Sequence, residues 1–264
     1  MNARLVRSLG VYVLWILVTL YGAKFLLGGE EAALDELVKN GVGWQFVAAI
    51  VVLLGAIAGF RWRDMKFGAP HSLVKVMWFP VLVLLAISSL AAVTGFPGGR
   101  AALFILLNTM LVGFSEEVMF RGVLFRALLE NVRVWTAIVV TTVLFGGIHV
   151  LNGVNTGEWG MASLQAVAAG MSGLIFIAIV IRTGSIWPAI IYHGVWDCML
   201  FLIKVGSEAN GMETDPELAQ QMMSGPTMFL PMLLALPNFV CALILLRKVR
   251  DADFPRGDAV PVVA

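Results

Sequence analysis

Glu116, Glu117 and Arg121 fall within one ten-residue stretch, Gly113-Phe-Ser-Glu-Glu-Val-Met-Phe-Arg-Gly122, whose remaining residues are apolar or small. Two of the chain's three histidines follow in similar surroundings. His149 closes Phe145-Gly-Gly-Ile-His149, and His193 opens His193-Gly-Val-Trp-Asp197. Carboxylate, imidazole and guanidinium groups move protons and stabilise developing charge. Hydrolysis of a peptide bond asks for both, since water must be made nucleophilic and the oxyanion must meet a donor. On a helix Glu117 and Arg121, four apart, share a face in the favourable order for an ion pair. Glu116 points about 100° away and is free to face something else. His193 and Asp197 likewise share a face.

The cost of these groups gives them meaning only if they lie in lipid, and composition places them there. Of 264 residues, 59% are hydrophobic and only 13% charged, far from the balance of a soluble domain. A spanning helix needs about 20 mostly apolar residues. Such runs occur at 9–28, 43–60, 73–94, 101–120, 134–152, 161–181, 185–204 and 227–246. The chain therefore reads as all-α, a polytopic membrane protein of about eight transmembrane helices. Each charge at a helix centre costs roughly 2.5–3.5 kcal/mol on insertion scales, so each calls for a reason. An ion-pair network for helix packing, or a position beyond the membrane edge, is the alternative to a functional site.

The connections sort by charge. Arg4 and Arg7, then Arg61, Arg63 and Lys66, then Arg126 and Arg133, then Arg182, then Arg247, Lys248 and Arg250 mark one face, which the distribution of Lys and Arg assigns to the cytoplasm. The other connections carry Glu30, Glu31, Asp35 and Glu36, then Glu158, then Glu208, Glu213, Asp215 and Glu217. An even number of spans with both termini cytoplasmic satisfies every loop except the short turn at 95–100. Arg4 and Arg7 could open a signal peptide, but the run from Val11 to Leu27 is long enough to span and reads as a signal anchor. Residues 1–250 form a single membrane-embedded domain with a catalytic core at about 101–204, and 251–264 read as a disordered cytoplasmic tail. Cys198 and Cys241 lie in apolar runs without a CxxC pair and read as core residues. The net charge of +1 gives no basic excess for nucleic acid, so none is expected as a partner.

Chain geometry brings the polar residues to one depth. If the fourth and fifth spans turn near Asn131 to Arg133, Glu116 and His149 are equidistant from that turn and lie at the same level. His193 stands about 15 Å beyond the turn at Arg182 to Ser185, also near mid-membrane.

At these residues the sequence resembles the CAAX protease and bacteriocin-processing (CPBP) family of intramembrane endopeptidases, which includes the eukaryotic CAAX prenyl endopeptidase. That family carries Glu-Glu-xxx-Arg, here Glu116, Glu117 and Arg121, then Phe-xxx-His, here Phe145 and His149. Its third motif is His-xxx-Asn or a variant, here His193 and Asp197. The match runs from about 113 to 197 in the family's order, and Gly122 after the arginine adds to it. The resemblance implies that Glu116 is the general base, with His149 helping to orient or activate water. It implies that His193 and position 197 stabilise the oxyanion or bind a metal. Glu117, Arg121 and Phe145 would support that set. Asp197 departs from the family's asparagine: an amide donates to an oxyanion, whereas a carboxylate pairs with a protonated histidine or ligates a metal. Zinc at His149, His193 and Asp197 is an option, because these are its ligand types and Glu116 cannot easily be both ligand and base. Family members are described both as metallopeptidases and as metal-independent glutamate peptidases, so no cofactor is certain.

Two other classes compete. A proton-coupled transporter also places Glu, Arg and His in spans, but its inverted repeats and paired broken helices are not visible here. A non-catalytic scaffold or immunity protein could keep the fold without the chemistry. The expected partners are the lipid bilayer and a membrane-associated protein or peptide, prenylated or maturing. Short loops and the lack of an Asn-x-Ser/Thr acceptor favour a prokaryotic plasma membrane.

Overall fold

Long runs of Leu, Val, Ile and Ala fold as helices because a chain in hydrocarbon must satisfy every backbone N–H and C=O within its own segment. The computed structural model describes residues 1–26, 40–211 and 225–254, and among them the regular elements are all helical. The acidic stretches holding Glu30, Glu31, Asp35 and Glu36, and Glu213, Asp215 and Glu217, lie outside the described residues, as do residues 255–264 of the expected tail. In order the helices are α1 Ala3–Leu26, α2 Trp44–Gly59, α3 Leu73–Thr94 and α4 Gly99–Glu117, which continues as a π-helical stretch Val118–Leu124 into α5 Phe125–Leu129. Then come α6 Val134–Ile148, a 3-10 turn His149–Leu151, α7 Asn152–Thr156, α8 Trp159–Thr183, α9 Trp187–Ala209 and α10 Leu230–Leu246.

Seven helical segments among the described residues are long and apolar enough to cross a membrane, and Trp44–Gly59 is a shorter apolar one. The eight expected spans thus each find a helix, with the largest shifts at two bounds. The first helix starts at Ala3 rather than 9, because Arg4 is not left to water: it pairs with Asp64 at 2.7 Å and with Glu130. The fourth span does not stop near 120. It runs as one rod of 31 residues, Gly99–Leu129, kept continuous by the π-helical stretch.

The rod, α8 and α9 form the centre of the bundle. The rod packs chiefly on α9, α6 on α8, α10 on α8, and α1 on α2. Outward-facing side chains such as Leu17, Leu82, Val143, Leu233 and Ile244 stay exposed, the belt a bilayer would cover.

The connections rich in Arg and Lys gather at one end. Arg126 reaches Asp64 at 3.2 Å, and the Asn2 backbone N–H donates to Asn131 at 2.9 Å. Arg182 donates to the Leu245 carbonyl at 2.6 Å. Residues 251–254, assigned above to the tail, dock here too. Asp251 accepts from the Val134 backbone N–H at 2.8 Å, capping α6, and the Phe254 ring meets Phe125 edge to face.

Candidate active site

The site forms where the rod crosses α9. A Cβ on Gly113 would lie 2.8 Å from the Gly194 backbone nitrogen and 3.0 Å from the Ile190 carbonyl. Small residues on both helices let the backbones approach this closely. That approach seats Glu117 against His193, the two side chains coming together at 2.8 Å between Oε1 and Nδ1. The same carboxylate oxygen accepts from Arg121 at 2.9 Å, so the expected pair one turn apart is present even though Arg121 lies in the π-helical stretch. A second Arg121 nitrogen donates to the Gly173 carbonyl of α8 at 2.6 Å.

Burial places these groups within the helix bundle. Glu117 is 0% exposed, Arg121 1%, His193 3% and Glu116 9%. Glu116 sits near the middle of the 31-residue rod, and His193 lies roughly 10 Å into α9 from Trp187. These charges are inside the protein.

His193 is the hub. Its Nε2 lies 3.3 Å from Asp197 Oδ2 and 3.9 Å from Glu116 Oε2. Both ring nitrogens therefore face carboxylates, an arrangement satisfied by a ring donating from each, as read from the hydrogen-bond network. Glu116 Oε2 accepts no hydrogen bond among the described residues. His149 lies in the 3-10 turn that ends α6. Its Nδ1 donates to the Phe145 carbonyl at 2.9 Å, which leaves Nε2 of the neutral ring to accept. The structure so brings together Glu116, Glu117, His193 and Asp197, with Glu117 in direct contact with His193 rather than only behind it.

Aromatic rings fix the hub. Phe176 of α8 stacks on the His193 ring, centroids 4.4 Å apart and planes 14° from parallel. Phe145 meets His193 edge to face at 5.7 Å and carries the Arg121 guanidinium over its face at 4.4 Å. Phe176, Gly113 and Gly194 were missed by reasoning from motifs. Phe176 is one phenylalanine in an apolar span and gives no signal of its own. The glycines sit beside the motif residues, and small residues in a span are the available sign of a close crossing. Trp15 of α1 adds a further support missed by sequence, donating from its indole to Ser115 at 2.7 Å.

Among the described residues no three His, Cys, Asp or Glu side chains are grouped as a metal ion requires. Of the residues named for the optional zinc, His193 and Asp197 meet at 3.3 Å, and among the described residues no hydrogen bond or ion pair joins His149 to either. The chemistry derived for the site uses side chains and water.

Residues 98–199 match the family model described as type II CAAX prenyl endopeptidase, Rce1-like. The matched stretch opens at the start of α4 and closes within α9, and it contains Glu116, Glu117, Arg121, Phe145, His149, His193 and Asp197. The family resemblance carried by the three motifs is shown over this stretch. No curated protein and no solved structure matches the chain.

Proposed function

We propose that this chain is a CAAX-type intramembrane endopeptidase that cleaves a membrane-associated protein or peptide with Glu116 as general base. The observation that carries this reading is the approach of Glu116 Oε2, free of hydrogen-bond donors among the described residues, to an imidazole held rigid by Glu117 and Phe176. Glu116 takes a proton from a water as that water attacks the scissile carbonyl. His149, accepting through Nε2, orients the same water. The carbonyl oxygen becomes an oxyanion, and His193 Nε2–H donates to it. The proton held by Glu116 passes to the leaving nitrogen as the C–N bond breaks.

Glu117 stabilises the charge on His193 and keeps its Nδ1–H engaged, so Nε2 is aimed without rotation of the ring. The family's activity on prenylated CAAX proteins suggests the substrate class. The Arg- and Lys-bearing end faces the cytoplasm in this reading, in a prokaryotic plasma membrane. The test is comparative: membranes with wild-type and Glu116→Ala protein at equal abundance are compared by mass spectrometry for precursors that lose C-terminal residues. Precursor accumulation in the variant supports the peptidase, and identical profiles favour a non-catalytic scaffold.

A further inference from the structure

Away from the catalytic hub, a cavity of about 730 Å³ opens at the end of the bundle that gathers the Arg and Lys residues. Its walls come from the 60–72 connection, α5, the end of α8 and the segment after α10. Four cations line it: Lys66, Arg126, Arg182 and Lys248. The lining carboxylates are already engaged. Asp64 is held by Arg4 and Arg126, Glu130 by Arg4 and the Asn2 side chain, and Asp253 accepts from the Arg250 backbone N–H at 2.9 Å. Among the described residues, by contrast, the side chains of Lys66 and Lys248 make no hydrogen bond or ion pair, and Arg182 uses only its Nε, on the Leu245 carbonyl. The uncompensated charge on this cavity is positive.

Two features argue that the positive charge serves a ligand. Lys66 adopts a φ of +61°, a conformation that disfavours a residue with a Cβ, and its carbonyl is held there by the Ile186 backbone N–H at 2.8 Å. The fold thus fixes the backbone from which this ammonium extends at the cavity. Part of the lining is apolar, with Phe125 and Phe254 packed edge to face and Val180 and Val249 also on the cavity. Cations beside aromatic and aliphatic surface, at the end of a membrane bundle, match a ligand with a phosphate joined to hydrocarbon.

We propose that this cavity binds the headgroup of an anionic phospholipid, the phosphate between Lys66, Arg182 and Lys248 and the start of the acyl chains against Phe125 and Phe254. The volume lies within the usual range of ligand sites, and a lone inorganic phosphate would leave the apolar lining unused. The proposal is independent of the peptidase reading.

The full chain purified in a neutral detergent tests it. Retention of phosphatidylglycerol or phosphatidylcholine is measured by native mass spectrometry, and affinity by titration of the melting temperature. Wild type is expected to retain phosphatidylglycerol over phosphatidylcholine. Lys66→Gln/Lys248→Gln should lose about tenfold or more in phosphatidylglycerol affinity while melting as wild type in phosphatidylcholine. Arg247→Gln, an exposed cation on the same segment that does not line the cavity, should keep the wild-type affinity. Equal phosphatidylglycerol binding by wild type and the double variant would overturn the site, as would no preference over phosphatidylcholine. Complete competition by millimolar inorganic phosphate would reassign it to free phosphate and overturn the lipid.

Discussion

Oε1 of Glu117 lies 2.8 Å from Nδ1 of His193 although the two residues are 76 apart in sequence, and the same oxygen lies 2.9 Å from Arg121. One buried carboxylate therefore serves both the reacting ring and the arginine that ties the rod to α8. Structure and chemistry share a residue here, so variants at this position separate poorly. Variants of its partners separate better.

Arg121→Ala removes the cation and leaves Glu117 uncompensated in a fully buried site. Loss of one partner of a buried pair costs roughly 3–5 kcal/mol. Folded yield in detergent is expected to drop severely, and Arg121→Lys should restore it only in part, because an ammonium cannot span Glu117 and the Gly173 carbonyl as the guanidinium fork does. Size-exclusion profiles of the three proteins check this. An alanine variant with wild-type yield and melting temperature would contradict the role of the pair.

The Gly113 crossing sets the distance from Glu117 to His193, so its disturbance should appear in activity before expression. A methyl group there meets backbone atoms on α9, which cannot turn aside as a flexible side chain could. Gly113→Ala is expected to lower turnover by about 10- to 100-fold, the scale of a misplacement of about 1 Å or less. Gly147→Ala, where an added Cβ meets nothing within 4 Å, is the control and should stay near wild type.

These two variants also mark what could be read in the sequence. The pairs Glu117 with Arg121 and His193 with Asp197 were legible because helical spacing alone places them together. The equal depth of Glu116 and His149 is an expectation of the hairpin, since rise per residue is fixed. The contact of Glu117 with His193 was not legible: it depends on which faces of two helices meet, and that is decided by Gly113 and Gly194. The π-helical stretch carries no signature in Val118–Leu124. Phe176 is chosen by packing alone. Zinc was read from ligand types alone, and among the described residues His149 is not grouped with His193 and Asp197 as a metal ion requires.

At the charged end, Asp64 should make stability depend on pH. Burial pushes its carboxyl up, but the hydrogen bond and charge of Arg4, with Arg126, outweigh this and hold it below the ordinary carboxylate range. A folded value below the unfolded one means stabilisation that is complete above the unfolded value and lost as pH falls through the folded value. The melting-temperature advantage of wild type over Asp64→Asn is therefore expected at pH 7 and should shrink below about pH 4. The side chain is 37% exposed, so the advantage is small and falls with salt. An advantage that grows on acidification would contradict the sign.

Topology follows from the same cluster. Asn2 with Asn131, Arg4 with Asp64, and Val134 with Asp251 bring the N-terminus, two connections and the segment after α10 to one end. Single cysteines introduced at Arg61, Arg133 and Arg247 should all be labelled by an impermeant maleimide only after the cytoplasmic side is opened, with buried Cys198 and Cys241 silent. Labelling of any one of the three from outside in intact cells would break the assignment.

Asp197 is the position at which the chain departs from the family's asparagine, and its geometry makes the departure testable. Its Oδ2 faces Nε2 of His193 at 3.3 Å, the nitrogen assigned to the oxyanion. A carboxylate there favours charge on the ring but accepts from the very N–H the oxyanion needs. Asp197→Asn keeps the shape, removes that competition in part and adds an amide donor of its own. The variant is expected to retain wild-type turnover or exceed it by a few-fold, with and without a strong chelator. A metal ligand would behave otherwise, since an amide is the poorer donor to zinc: activity would fall and added zinc would partly restore it. His193→Ala, which removes both the oxyanion donor and the partner of Glu117, must be inactive in either case and calibrates the assay. Zinc-dependent rescue of Asp197→Asn would return the metal to this site and remove the carboxylate from the role assigned here.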